Sequence, residues 1–189
     1  MDLAAIIATA LFAVVMGFGQ NIMALLMKVP LKTEAREPGA GMLYRFLGAT
    51  ALAFYLIGGG WSVSWVPDEV RLEGFILMGM GLALIFWSQV SLGRNWVGGV
   101  GLHDGHKLVT SGPYAYVRHP LYSGFCLGAL GIALASASPL AASGAALMAM
   151  SMLVRIWSEE ELLKQHFKQD YLEYCERTGW LWPRLRQRS

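Results

Sequence analysis

The stretch LVTSGPYAYVRHPLYSG, residues 108–124, is a polar segment between two long apolar parts of the chain. Its Ser-Gly-Pro at residues 111–113 predicts a bend, because proline fixes φ and glycine tolerates conformations that other residues avoid. Pro120 stands where the next apolar run begins, and proline is favoured at the first position of a helix. The sequence therefore predicts a hinge that ends in a helix N-terminus at His119, with Tyr122 in the first turn.

A helix N-terminus attracts anions. Its first N–H groups have no partner within the helix, and the positive end of the helix dipole favours a carboxylate or a phosphate. We therefore expect the functional site at this hinge.

The composition is that of a membrane protein. Of 189 residues, 55% are hydrophobic and 15% are charged, whereas about a quarter of a soluble domain is charged. The mean hydropathy is +0.44. Since roughly 20 apolar residues cross a bilayer core, five runs are candidate membrane spans: 3–27, 42–57, 74–92, 121–135 and 140–157.

These runs predict an all-α fold, an integral membrane bundle of about five transmembrane helices. The fourth run is short for a full span. Only residues 136–139 separate it from the fifth, so the last two spans are expected to form a tight helical hairpin. We treat residues 1–189 as a single membrane domain, with three N-terminal spans in 1–92 and a second half in 93–183 that contains the hinge.

Basic residues predict the orientation of the bundle. In a strictly alternating model of five spans, fourteen of the fifteen Lys and Arg residues fall on one side, and only Arg71 falls on the other. Cytoplasmic segments carry the excess of Lys and Arg. The prediction is a multi-pass protein with the hinge and the C-terminus in the cytoplasm.

The remaining composition excludes several classes of partner. The net charge of +2 is explained by membrane topology, so no nucleic acid is expected. Cys126 lies in a predicted span and Cys175 in the tail, and two such cysteines build neither a disulfide nor a zinc site. The expected partner at this point is the lipid bilayer, and no metal is expected.

A second polar group follows the fifth span. Arg155 and Glu159 are four residues apart, so they share one face of a helix. A weak ion pair at the membrane boundary is one interpretation; a functional site shared with the hinge is the other, because ionisable groups at the edge of a membrane helix are costly. Glu160 and Glu161 are expected to point away into solvent.

An amphipathic helix is predicted beyond this group. Apolar residues recur along one stripe, and the opposite face carries charged and amide residues; the stripe consists of Leu163, Phe167, Tyr171 and Tyr174. Periodicity leaves two positions open for this helix. It either lies on the cytoplasmic interface or folds over the hinge as a lid.

The two polar groups together resemble a known family. The segment HKLVTSGPYAYVRHPLYSG, followed by R-x-x-x-E-E-x-x-L-x-x-x-F-x-x-x-Y-x-x-Y, is similar to the isoprenylcysteine carboxyl methyltransferases, whose broader group includes membrane phospholipid N-methyltransferases. The resemblance covers residues 92–183. Two departures are Lys168, where the family usually has glycine after the phenylalanine, and Thr178-Gly179-Trp180, where the eukaryotic enzymes have Val-Pro.

This resemblance implies a methyltransferase that uses S-adenosylmethionine. Arg155 would be the catalytic residue on the acceptor side. The cofactor contacts, carried over by position, would be His106, Lys107, Leu108, Val109, Tyr114, His119, Pro120, Leu121, Tyr122 and Glu159.

The acceptor is left open by the residues. A carboxylate is ionised at neutral pH and needs no base, and Arg155 would orient it through a bidentate pair. A phospholipid amine would first lose a proton, with His119 or Glu159 as the base. The presence of an arginine favours an anionic acceptor group, lipid-like or prenylated.

Two rival functions remain at this point. A sterol-type membrane reductase shares a similar hinge and uses a nicotinamide cofactor, although such enzymes are longer. A non-enzymatic membrane scaffold is disfavoured, because polar groups inside a membrane are costly and usually functional.

Overall fold

Helices make up most of the described chain. The structure is a computed structural model, and it describes residues 7, 40–58, 66–96, 102 and 105–184. We number the helices of these segments in chain order: α1 Ala40–Gly58, α2 Asp68–Leu92, α3 Pro120–Ser136 and α4 Pro139–Arg177. Short 3₁₀ turns cover Gly93–Asn95 and Gly112–Ala115. The all-α prediction is confirmed for the described residues.

The helices correspond to the predicted spans, with two differences. Helix α2 begins at Asp68, six residues before the predicted run, because Asp68 and Glu69 lie in its first turn, where acidic side chains interact favourably with the helix dipole. Helix α4 continues to Arg177 with a kink at Lys168, so the predicted amphipathic helix follows the fifth run without an intervening loop. The predicted span 3–27 lies outside the described residues apart from Ile7, and the count of five spans stays a prediction.

Helices α2 and α3 pack with their backbones in contact. A Cβ atom placed on Gly81 would lie 2.6 Å from both the carbonyl oxygen of Gly124 and the amide nitrogen of Gly128. Small residues allow this approach, which is common between membrane helices. Helix α3 also packs against α4, which in turn packs against α1.

The hairpin between α3 and α4 forms as predicted. Ala137 has a left-handed conformation, with φ of 49°, and ends α3. Ser138 caps α4 by accepting a hydrogen bond from the amide of Ala141, and Pro139 occupies the first position of that helix.

The outer surfaces of these helices are apolar. Helices α2 and α4 are long and apolar enough to cross a membrane, whereas α1 and α3 contain shorter apolar stretches. Large apolar side chains along α2 are exposed: Leu72, Ile76, Met80, Phe86 and Val90. Exposed apolar bands of this kind are expected where helices face lipid.

Candidate active site

The hinge has the predicted geometry. Gly112 has a φ of +61°, which a residue with a side chain rarely adopts, and it begins the 3₁₀ turn that reverses the chain. Pro120 is the first residue of α3, and His119 occupies the N-cap position. The hinge thus places His119 and the first turn of α3 at one end of the bundle, beside the part of α4 that follows its apolar stretch.

A cleft of about 800 Å³, part of it open to solvent, lies between the hinge, the start of α3 and helix α4. Its wall includes all of the predicted cofactor-contact residues except Pro120: His106, Lys107, Leu108, Val109, Tyr114, His119, Leu121, Tyr122 and Glu159. Pro120 is buried at the helix start. Arg155 lines the same cleft. The structure brings these residues together, and their contact with a cofactor stays a prediction.

Tyr122 connects Arg155 and Glu159. Its hydroxyl donates a hydrogen bond to a carboxylate oxygen of Glu159. The Cζ atom of Arg155 lies 5.4 Å from the centroid of the Tyr122 ring, which is a cation–π distance. Arg155 is only 8% exposed. A buried cation, a half-buried anion and a buried aromatic ring are therefore held together on one wall of the cleft.

Tyr114 closes the neighbouring wall. It is buried, and its carbonyl oxygen accepts a hydrogen bond of 2.7 Å from the hydroxyl of Tyr174. Burial raises the pKa of the Tyr114 hydroxyl well above its usual value, and the negative charge of Glu159 raises it further. Tyr114 is therefore a neutral hydrogen-bonding group next to Glu159.

Glu160 does not point into solvent, and the prediction for this residue was wrong. Its Oε1 atom lies 3.0 Å from Nε of Arg118 and 3.1 Å from Nε2 of His119. Burial acts to raise the pKa of Glu160. The hydrogen bonds with His119 and Arg118 outweigh burial and lower this pKa to about 2. Burial also acts to lower the pKa of Arg118. The hydrogen bond and the negative charge of Glu160 outweigh burial, so the pKa of Arg118 is raised. Glu161 is exposed, as expected.

The final part of α4 folds over the cleft. Leu163, Phe167, Tyr171 and Tyr174, the predicted apolar stripe, all line it. Lys168 has φ 48° and ψ −118°, which bends the helix between Phe167 and Tyr171. Of the two positions left open by the sequence, the described residues therefore show the stripe covering the hinge.

Several cleft residues were missed by the sequence reasoning. Asn95 accepts a hydrogen bond of 2.8 Å from the amide of Lys107, and so fixes the loop that carries the predicted contacts 106–109. Trp96 and Leu102 also line the cleft. The sequence contains only a weak signal for Asn95, which is a polar residue just after an apolar run, in the segment Leu92-Gly-Arg-Asn-Trp96.

Helices long and apolar enough to cross a membrane, beside a cleft that holds charged side chains, are typical of a membrane protein with an enzymatic site. A sequence model of the isoprenylcysteine carboxyl methyltransferase (ICMT) family matches residues 74–165. This segment carries the sequence pattern of the family, and the resemblance predicted from the hinge and the pattern that starts at Arg155 is confirmed.

Individual relatives support this assignment. The chain is 32% identical over 131 residues to a probable protein-S-isoprenylcysteine O-methyltransferase of Oryza sativa subsp. indica, an alignment that covers 68% of this chain and 65% of the rice protein. It is 31% identical over 147 residues to the cobalt-zinc-cadmium resistance protein CzcN of Cupriavidus metallidurans, covering 76% of this chain and 63% of that protein. The chain thus spans slightly less than two thirds of these relatives.

A solved structure has the same fold. The eukaryotic intramembrane Ras methyltransferase ICMT superposes with a TM-score of 0.67 at 20% sequence identity, covering 97% of this chain and 69% of the other. At this identity the likeness concerns the fold alone.

Proposed function

We propose that this protein transfers a methyl group from S-adenosylmethionine to a carboxylate on a lipophilic acceptor, of the type found on a prenylated cysteine. The observation that carries the proposal is the pairing of Arg155 and Glu159 on one wall of the cleft, joined through Tyr122. The match of residues 74–165 to the isoprenylcysteine carboxyl methyltransferase family supports the same reaction.

Arg155 is assigned to the acceptor. A guanidinium presents parallel N–H groups that match a carboxylate, and burial strengthens the interaction. A carboxylate is already ionised at neutral pH, so its attack needs no base. Arg155 would orient the carboxylate, and the cation–π contact with Tyr122 would hold the guanidinium in place.

The donor is assigned to the hinge side of the cleft. When bound, S-adenosylmethionine supplies the methyl group from a positively charged sulfonium. The residues fit its groups: the carboxylate of Glu159 can accept hydrogen bonds from an ammonium or from ribose hydroxyls, the rings of Tyr114 and Tyr122 can contact adenine or the sulfonium, and the N-terminus of α3 can hold a carboxylate.

Apolar residues of the cleft would exclude water from the reaction. Leu108, Val109 and Leu162 line it beside the charged groups. Transfer to a carboxylate removes a positive and a negative charge together, and dry surroundings favour that loss of charge. Alignment of the two reactants supplies a further part of the rate acceleration.

A phospholipid amine acceptor has less support. Its deprotonation would need a base, and the two candidates are engaged: His119 Nε2 with Glu160, and Glu159 with the hydroxyl of Tyr122. A nicotinamide-dependent reductase is likewise disfavoured by the match to a methyltransferase family.

We further propose that the cleft and the C-terminus face the cytoplasm. The distribution of fourteen of fifteen basic residues supports this orientation. A protease-cleavable tag after Ser189 tests it: protease should remove the tag in inverted membrane vesicles and leave it in right-side-out vesicles. The opposite pattern would overturn the orientation.

The activity is tested with purified protein in lipid nanodiscs and methyl-labelled S-adenosylmethionine. Separate reactions contain N-acetyl-S-farnesylcysteine, the same compound with its carboxyl group amidated, or phosphatidylethanolamine. Label is expected in the first compound as a base-labile ester. Label in phosphatidylethanolamine would favour the amine acceptor instead, and binding of reduced nicotinamide cofactor in place of S-adenosylhomocysteine would overturn the methyltransferase proposal.

A further inference from the structure

We propose that Arg118 is a positioning residue, which keeps the last part of α4 docked over the cleft and so sets the affinity for the methyl donor. The effect on donor affinity rests on the function proposed above; the docking itself does not. Arg118 lines the cleft at the hinge, and sequence reasoning gave it no role.

The guanidinium of Arg118 joins three parts of the chain. Its Nε atom donates to Oε1 of Glu160 on α4, at 3.0 Å. Its Nη1 atom donates to the carbonyl oxygens of Cys175 and Thr178, at 3.2 and 3.0 Å. The last carbonyls of a helix have no partner within it, so Arg118 both closes the C-terminal end of α4 and ties it to the hinge.

The segment 178–181, which we name the strap, strengthens this attachment through the main chain. The amides of Arg118 and His119 donate to the carbonyl oxygens of Gly179 and Trp180, at 2.9 and 3.2 Å. The amide of Gly179 donates back to the carbonyl oxygen of Tyr116, at 3.1 Å. The side chain of Arg118 therefore stands at the centre of a network that fastens the strap to the start of α3.

The docked part of α4 contributes directly to the cleft. Tyr171 and Tyr174 line it, and both lie between the bend at Lys168 and the strap. When this part moves away from the hinge, the cleft loses that wall and the hydrogen bond from Tyr174 to Tyr114. Only the docked form is then competent to bind the donor tightly, and the apparent affinity falls in proportion to the docked fraction.

Only an arginine can make all three contacts. Its planar fork places Nε and Nη1 in fixed directions toward a carboxylate and toward two carbonyl oxygens. A lysine has a single nitrogen, and in this position it can reach Glu160 or the carbonyl oxygens but cannot hold the same geometry. Arg118→Lys should therefore behave as an intermediate between the native protein and Arg118→Ala.

The test compares Arg118→Ala with Arg177→Ala in nanodiscs. Arg177 is an exposed arginine of the same helix segment whose Nε donates to the carbonyl oxygen of Glu173. The measurements are the Kd for S-adenosylhomocysteine by calorimetry, KM and kcat for the labelled donor, and the rate of tryptic cleavage after Lys168, which lies exposed at the bend. Arg118→Lys serves as the second variant in case Arg118→Ala does not fold.

For Arg118→Ala we expect the Kd and the KM for the donor to rise about tenfold or more, kcat at saturating donor to change less than threefold, and cleavage after Lys168 to accelerate. Arg177→Ala should match the native protein in all four. An unchanged Kd with unchanged cleavage would overturn the proposal, as would a lower kcat at unchanged Kd, which would place Arg118 at the reacting atoms. If the native protein does not bind S-adenosylhomocysteine, the proposed function fails, and the cleavage rate alone decides the docking role.

Discussion

The hydroxyl of Tyr122 donates a hydrogen bond to the carboxylate of Glu159, which joins the first turn of α3 to the end of the apolar part of α4. The two residues are 37 positions apart in the chain. The same ring lies against the guanidinium of Arg155. One tyrosine thus fixes the relative positions of the proposed donor-side anion and the proposed acceptor-side cation.

Removal of this hydroxyl should slow methyl transfer without unfolding the protein. Tyr122→Phe keeps the ring under Arg155 and loses the bond to Glu159, and a hydrogen bond to a charged group contributes about 1.5–3 kcal/mol. We expect kcat/KM to fall about 10- to 100-fold, measured with the prenylated cysteine acceptor.

Tyr116→Phe is the matched control for this change. Tyr116 is 63% exposed, and its substitution should leave kcat/KM within about twofold, because surface changes are usually near neutral. Native activity in Tyr122→Phe would show that the hydrogen bond has no part in positioning Glu159.

Loss of the Arg155 guanidinium should affect the acceptor and spare the donor. In Arg155→Lys the charge remains and the bidentate geometry is lost, so we expect kcat/KM for the acceptor to fall by roughly 100-fold. The Kd for S-adenosylhomocysteine should stay within about threefold of the native value. A donor Kd that rises as steeply as the rate falls would reassign Arg155 to the donor side.

The hinge and the hairpin were predictable because their signals are local. Pro120 and the Ser-Gly-Pro at 111–113 restrict their own backbone, and the polar break at 136–139 separates two apolar runs. Each of these features follows from a few adjacent residues. The structure places them as the sequence predicted.

The role of Glu160 was not predictable in the same way. Glu159 and Glu160 are neighbours on a helix, where successive side chains point in directions about 100° apart, and both face the hinge because α4 packs against it. The partners Arg118 and His119 lie more than 40 residues away in the chain. Periodicity identifies the apolar face of a helix, but it does not show which charged neighbour meets a distant partner.

The bend at Lys168 was also not predicted from the sequence. It leads to a testable prediction. Lys168 has a φ of 48°, which glycine adopts without strain and which costs a residue with a side chain of order 1–3 kcal/mol. Lys168→Gly should therefore raise the free energy of unfolding by about 1 kcal/mol. Thermal unfolding in nanodiscs, followed by alkylation of the half-buried thiols of Cys126 and Cys175, measures this change.

Lys164→Gly is the control for Lys168→Gly. Lys164 lies in the regular part of α4, where glycine costs about 1 kcal/mol relative to good helix formers, and its ion pair with Glu160 at 3.9 Å is weak. The same exchange of residue types should therefore change stability in opposite directions at the two positions. A lower unfolding temperature for both variants would mean that the helix is regular at Lys168.

The close contact between α2 and α3 gives the last prediction. A Cβ atom on Gly81 would lie 2.6 Å from backbone atoms of α3, so Gly81→Ala can be accommodated only if the helices separate. Overpacking of this kind costs about 1–3 kcal/mol or more.

On the same helix, a Cβ atom on Gly79 would have no atom within 4 Å among the described residues, so Gly79→Ala should stabilise α2 by about 0.5–1 kcal/mol. Because α2 leads into Asn95 and Trp96 at the cleft, Gly81→Ala should also weaken binding of S-adenosylhomocysteine, whereas Gly79→Ala should leave it unchanged. Equal unfolding temperatures for the two variants would show that the helices are not in backbone contact at Gly81.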